Sequence, residues 1–366
     1  MPPVAPLPYV TAGLGGSGGV IKRRPEDFVV EEIPLYPPCG DGEHLFVLVE
    51  KHGLAAGALI QHVAHVLGLK PYEVGCAGLK DTHAVTRQYL SVPAACAASV
   101  QALDHDRLRV LSAARHRNKL RTGHLAGNRF TILVRETAAD AVPKAEAVVA
   151  ALRSAGVANF FGPQRFGHDG ATLTLGLALL RGGPAPGLQA VHPGRRGFMR
   201  RLALCAAQSA VFNETLARRM RDGLLHTLIA GEVAMVVRSG GPFVVDDVAV
   251  EQPRFAAHEI VPAGPMFGPK MRRARGEAAA REQQALATLD LSAERFDGFG
   301  KILLGTRRAA LVWPEDLAVQ AVADGLQVTM TLPPGCYATV VLREIMKGDS
   351  VKASAEDAAD AELDDD

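Results

Sequence analysis

The sequence has no CxxC pair, and its five cysteines (Cys39, Cys76, Cys96, Cys205 and Cys336) are odd in number and widely spaced. This argues against a disulfide framework and a thiolate zinc site, and reduced, mostly buried thiols are expected. No apolar run approaches the roughly 18 residues of a membrane-crossing helix. The first residues lack a basic segment followed by an apolar core, so no secretory signal is expected and the cytosol is the expected location. A full glycine-rich phosphate loop is missing, so a nucleotide loop is poorly supported. His62 and His65 stand three apart on a helical stretch but lack an intervening glutamate and a third ligand, so no metal site is expected.

What the sequence does have is the makeup of a globular chain. Of 366 residues, 48% are apolar and 22% charged, a balance that excludes a wholly disordered or fibrous protein. The length suits about two domains, or three. The net charge of +1 conceals an asymmetry: the segment 356–366 carries seven acids and no base. Without those seven, 32 acidic residues face 40 basic ones, and a body with that surplus suits a polyanion.

Strands are expected at 27–33, 43–50, 85–92, 129–135 and 326–332, from alternation and β-branched content. Helices are expected from Gly57 to Leu67 and over 142–152, 171–181, 202–220 and 277–288, with short strands at 233–237 and 243–245. The stretch 182–197 reads as an exposed connection, 251–276 is rich in proline and glycine, and 338–346 fits a strand or a helix. Strands thus dominate the first part and return near 326. A sheet domain interrupted by a helical insertion is the economical layout.

Three stretches carry candidate chemistry. Gly78-Leu79-Lys80-Asp81 puts a lysine beside an aspartate whose charge it could maintain, although adjacent side chains on an extended segment point apart. The run from Arg115 to Arg129 holds several bases and no acid, which suits a phosphate backbone. It contains Arg115, Arg117, Lys119 and Arg121 and leads into Asn128 and Phe130, an amide with donor and acceptor and a ring with a stacking face. Asn159–Gly167, with three aromatics, two glycines and a proline, is irregular and fits a backbone clamp or a hinge cap.

These stretches, in order, resemble the signatures of the TruD family of pseudouridine synthases. Residues 78–88 are similar to its GxKDxxAxTxQ element and Pro25–Glu32 to PEDFxVxE. Residues 115–130 resemble its basic stretch ending in GNxF, and 159–167 resemble NxFGxQRFG. Ala207–Asn213 resembles a helix signature of the inserted domain, and Leu332–Thr339 with Leu342-Arg343-Glu344 resembles LPxGxYAT…LRE. The likeness spans about residues 22–347 and leaves the acidic end unexplained.

The resemblance implies an α/β (α+β) fold: a pseudouridine-synthase catalytic domain with a mixed, largely antiparallel sheet, interrupted by an inserted TRUD domain. The expected boundaries are 1–155 for the first part of the catalytic domain, 156–304 for the insertion, 305–348 for the second part, and 349–366 for a disordered acidic tail. It implies conversion of uridine to pseudouridine in tRNA, at position 13, with RNA held between the domains. By motif, Asp81 is the catalytic aspartate, and Lys80, Asn128 and Phe130 are pocket residues. Glu26 and Phe28 lie near the pocket, Gln164 and Arg165 shape the RNA cleft, and Arg115, Arg117, Lys119 and Arg121 form an RNA-binding surface. The family is discussed in terms of either attack by the aspartate at C1′ or a glycal route, and either needs an ionised carboxylate held at the sugar. No cofactor or metal is implied, nor a membrane or an obligate protein partner, and a monomer is expected. The competing readings are the same chemistry on another RNA, an RNA-binding protein that has lost catalysis, and a hydrolase pairing Asp81 with Glu26.

Overall fold

The structure, a computed structural model, describes residues 6–78 and 80–348. The acidic tail expected over 349–366 lies outside the described residues. The chain divides into two compact units: Leu14–Arg153 with the chain from Pro314 onward, and Ser154–Trp313 with the chain up to Gly13.

The first unit is built on strands β1 (Phe28–Pro34) and β2 (His44–His52), helix α1 (Ala56–Leu67), strands β3 (Gly75–Cys76), β4 (Val85–Pro93), β5 (Leu108–His116) and β6 (Leu125–Val134), and helix α2 (Ala141–Ala155), whose end leads into the second unit. The second unit holds β7 (Val157–Ala158), α3 (Ala171–Arg181), α4 (Pro186–Ala190), α5 (Arg196–Arg221), β8 (Val233–Val236), β9 (Pro242–Val244), α6 (Val248–Ala256), β10 (Ile260–Met266), α7 (Gly276–Thr288), β11 (Thr306–Ala309) and β12 (Leu311–Val312). The chain then returns to the first unit with β13 (Glu315–Val322), β14 (Gly325–Leu332) and α8 (Ala338–Met346).

The first unit's strands form one eight-stranded sheet in the order β13-β14-β6-β1-β4-β2-β5, with β3 beside β4. Only β1 and β4 pair in parallel; the other neighbours are antiparallel. The register lines up the buried face across strands. Met330, Phe130, Val30, Thr86 and Lys51 form one row. On β2 the alternate residues Leu45, Val47 and Val49 bury against Leu59 and Val63 of α1 as part of one apolar core, which the two-residue period of a strand makes possible. On the opposite face Arg129, Glu31, Arg87, Glu50 and Arg109 stand side by side on successive strands, alternating in sign.

In the second unit α3, α5 and α7 share a core of Leu177, Leu204, Val211, Leu286 and Phe267 among others. A four-stranded sheet, β11-β10-β8-β9, lies in the same unit, and the unit's first and last strands, β7 and β12, pair with each other in a separate two-stranded sheet. Gly156, just ahead of β7, has φ +76°, and a Cβ there would meet the Trp313 ring at 3.0 Å, so only glycine fits without displacement.

Several elements differ from the sequence expectation, three strands among them. β5 buries mainly alternate residues at its ends and is an edge strand, so its middle reads as polar. β13 is the other edge and buries only Leu317. β10 carries Pro262 and Pro265 inside a stretch expected to be irregular, yet it sits between β8 and β11 and the Pro262 carbonyl still accepts the Ala310 N–H. The segment 338–346, whose sequence fits a strand or a helix, is a helix with nearly every residue buried. The return to the first unit comes at Pro314 rather than at 305, because β11 pairs with β10 and β12 with β7.

The Pro25–Asp27 turn ties this sheet together. Arg135, just past β6, donates from Nε and Nη2 to the buried Asp27 carboxylate (3.0 and 2.8 Å) and from Nη1 to Asp324 in the β13–β14 turn (3.0 Å). The Arg24 backbone N–H adds a further bond to Asp27 at 3.0 Å. Burial opposes the Asp27 charge, but the Arg135 and Arg24 bonds outweigh it and hold the carboxyl below its ordinary value. A carboxyl with a depressed folded value stabilises the fold above its unfolded pKa of about 3.9, and the contribution is lost as the pH falls through the folded value. Asp27→Asn is therefore expected to cost about 1.5–3 kcal/mol at pH 7. Denaturant titrations of the two proteins should converge as the pH is lowered below about 4, and a gap that stayed constant with pH would refute this account.

Candidate active site

Asp81 lies in the loop between β3 and β4, with its side chain 40% exposed. Lys22 donates from Nζ to Asp81 Oδ2 at 3.0 Å, and the same ammonium sits 4.6 Å from the centre of the Phe28 ring. Lys22 has φ +58°, a conformation that costs a residue with a Cβ roughly 1–2 kcal/mol. Strain of this kind persists where the surroundings impose it, and here it accompanies a lysine aimed at a carboxylate.

Lys80 points elsewhere. Its Nζ donates to Glu32 Oε2 at 2.7 Å, and both side chains are buried. The cation on Asp81 is thus Lys22 and not the adjacent lysine, because neighbouring residues on an extended loop face opposite ways. Lys80 locks the loop to β1 instead.

Asn128 and Phe130 stand on β6, directly opposite Glu32 and Val30 of β1. Phe130 is buried and meets Phe28 edge-to-face, with ring centres 6.1 Å apart. Gly127 precedes them because a Cβ there would lie 2.6 Å from the Leu332 carbonyl oxygen of β14. On this side of the sheet, Asn128 Oδ1, Thr86 Oγ1 and Gln88 Oε1 are buried and hydrogen-bond to nothing among the described residues. Buried acceptors of this kind are unusual, and they mark polar capacity beside the Asp81 loop. Glu26 is exposed, 3.9 Å from His52 Nδ1, whereas its neighbour Asp27 is buried.

The structure does not bring Gln164 and Arg165 into the unit that holds Asp81. They lie on a single turn, Pro163–Phe166, of the second unit. Arg165 Nε donates to Ser209 Oγ at 3.2 Å, and its guanidinium lies over the Phe161 ring. The irregular segment around them is held by two asparagines. Asn213 accepts from Phe161 N–H (2.8 Å) and donates to its carbonyl (2.9 Å), and Asn159 donates to the Ala309 carbonyl.

The basic stretch is less uniformly free than its composition suggests. Arg115 is the last residue but one of β5, and Arg117 makes a two-pronged ion pair with Asp41, which holds that carboxyl below its ordinary value. Lys119 donates to the Tyr72 carbonyl. Arg115 and Arg121 are exposed, and their side chains hydrogen-bond to nothing among the described residues. Arg117, Asn118, Lys119 and Arg121 line a depression of about 430 Å³ with His44 and His124, and no acid lines it. Under this stretch Tyr36 stacks on His116, whose imidazole is pushed below its ordinary pKa by burial and by Arg117.

The profile of the family tRNA pseudouridine synthase D (TruD) matches residues 7–192 and 196–345. The chain belongs to the TruD family. A tRNA pseudouridine synthase D from Anaeromyxobacter sp. (strain Fw109-5) is 47% identical over 340 residues, covering 93% of this chain and 96% of the relative. One from Thermus thermophilus is 40% identical over 341 residues, covering 93% and 92%. A crystal structure of a TruD protein from Methanosarcina mazei matches with a TM-score of 0.74 over 95% of this chain and 98% of its own, at 24% identity. The mixed, largely antiparallel sheet with its insertion is therefore the TruD fold.

Lys22 is the residue sequence reading missed. It lies 59 positions from Asp81, ahead of the Pro25–Glu32 signature, and no spacing rule joins the two. The two lysines of the site should respond differently to removal. Lys80→Met strands the buried Glu32 carboxylate and is expected to cost about 3–5 kcal/mol. Lys22→Met leaves a carboxylate that already meets solvent, and its cost should stay within about 1 kcal/mol. Urea unfolding of both variants checks the contrast, and equal losses would contradict it.

Proposed function

We propose that this TruD protein converts uridine 13 of tRNA to pseudouridine, with Asp81 as the catalytic carboxylate. The observation that carries the assignment is the Lys22–Asp81 bond: of the motif's charged pair, Asp81 alone reaches solvent, and a cation from another segment holds it. The reaction moves no atoms in or out. The N1–C1′ bond breaks, the uracil turns, C5 bonds to C1′, the proton leaves C5, and N1 ends protonated. Coulombic attraction to Lys22 keeps the Asp81 oxygens aimed toward one side of the loop, where the ribose is received.

Phe28 and Phe130 supply the apolar wall against which a flipped uracil rests. Asn128 Oδ1, an unused acceptor beside Phe130, is suited to the uracil N3–H. Arg115, Lys119 and Arg121 contribute the phosphate-contacting surface of their unit, and Gln164 and Arg165 are suited to RNA contact on the insertion. Glu26 lies at the exposed margin. The protein works in the cytosol as a monomer on this reading. No helix among the described residues is long and apolar enough to cross a membrane.

Incubation with unmodified tRNA transcripts, followed by mapping of pseudouridine through carbodiimide-adduct stops, tests the assignment. A single new stop at position 13 is expected, absent with Asp81→Ala and reduced about 100-fold in rate with Lys22→Met. A stop at another position, or in another RNA only, would overturn the choice of nucleotide, and an active Asp81→Ala would overturn the role of the carboxylate. Arg121→Ala should weaken tRNA binding and flatten the log–log salt dependence by roughly 0.7–0.9. An unchanged slope in filter-binding titrations would remove Arg121 from the phosphate surface.

A further inference from the structure

Lys51, the last residue but one of β2, takes the inward position that follows Leu45, Val47 and Val49. An apolar residue would continue that row, yet a lysine stands there with no exposed surface. Taking an ammonium out of water costs several kcal/mol unless its donors are met. An ammonium has three N–H donors. Among its partners, Lys51 Nζ donates to three backbone carbonyls: Leu54 at 2.7 Å, Asp81 at 2.8 Å and Lys80 at 3.3 Å. Two of the three belong to the Lys80-Asp81 pair itself.

We propose that Lys51 is a positioning residue for the pseudouridine-forming reaction, fixing the peptide planes on either side of Asp81 so that its carboxylate faces the ribose. The inference rests on the reading of Asp81 as the catalytic carboxylate. The geometry divides the labour among three lysines. Lys22 holds the Asp81 oxygens from one side, Lys80 anchors its own side chain to Glu32 on β1, and Lys51 grips the main chain from β2 beneath. Fixing both carbonyls removes the peptide rotations that would swing the carboxylate away from the sugar. Displacement of a reacting group by about 1 Å costs on the order of 100-fold in rate. Because Lys51 is buried, it touches no RNA, so its loss should leave substrate binding alone.

The test uses the full chain carrying Lys51→Met, with Lys51→Gln as a second variant that keeps an N–H donor in the same space. With tRNA as substrate, Lys51→Met should lower kcat about 100-fold while KM and the tRNA dissociation constant stay within twofold. Lys51→Gln should fall between it and the parent. Lys51→Cys unfolded in urea, treated with 2-bromoethylamine to rebuild an ammonium at lysine length and then refolded, should regain at least tenfold in kcat, with the parent protein carried through the same steps to control for its five native cysteines. Folded variants that turn over within threefold of the parent would overturn the proposal, as would a loss confined to KM. If neither Lys51→Met nor Lys51→Gln folds, Lys51 is a core residue only, and the proposal fails as well. Asp81→Ala run in parallel separates the two claims: an active Asp81→Ala defeats the reading of the aspartate, whereas an inactive one beside an undiminished Lys51→Met defeats the inference alone.

Discussion

The pairing of β6 with β14 is the contact on which the rest depends. Leu326 to Leu332 lie antiparallel to Val134 to Asn128, joining segments that the whole insertion separates in the chain. β6 shares its other edge with β1, so one strand carries Asn128 and Phe130 of the candidate site while being fixed from both sides. Arg135 extends the same junction past the strand end by binding Asp27 and Asp324 together. The site therefore rests on a strand whose position is set by residues on both sides of the insertion.

The charged groups around Asp81 follow from this frame. Glu32 and Lys51 occupy inward positions on β1 and β2, where apolar residues would be cheaper to bury, and each is met by a group from the Asp81 loop. The polar half of the core thus lies under the loop, and the apolar half lies under α1. A loop tied to a rigid sheet by main-chain and side-chain bonds keeps its one solvent-facing carboxylate in a narrow range of orientations, which is what a positioned catalytic group requires.

Much of this was legible in the sequence because it is local. The strands at 27–33 and 129–135 and the helix ending at Leu67 declare themselves by period and β-branched content, and the loop with Asp81 by its motif. Edge strands were not legible. β5 and β13 bury little, so their alternation is masked by exposed charge, and the two prolines of β10 conceal a strand whose neighbours satisfy it. The lysine pairing was also beyond local reading. Lys80 is adjacent to Asp81 and binds Glu32, while Lys22 is distant and binds Asp81, and only the folded register decides between them. Lys51 did leave a trace, since it falls on the inward parity of Leu45, Val47 and Val49, but a strand taken to end at residue 50 stops one position short of it.

The split of one sheet across an insertion also bears on how the chain is made. During synthesis, β6 leaves the ribosome long before β14, and at about 5–20 residues per second the delay is on the order of 10–40 s. Through that interval the β6 ladder has an open edge, the kind of surface that invites a stray strand. The second unit's first and last strands, β7 and β12, are both made before β14, so that unit can close on itself first. Translation order thus lets the nascent insertion close while the catalytic sheet still waits for its last strands.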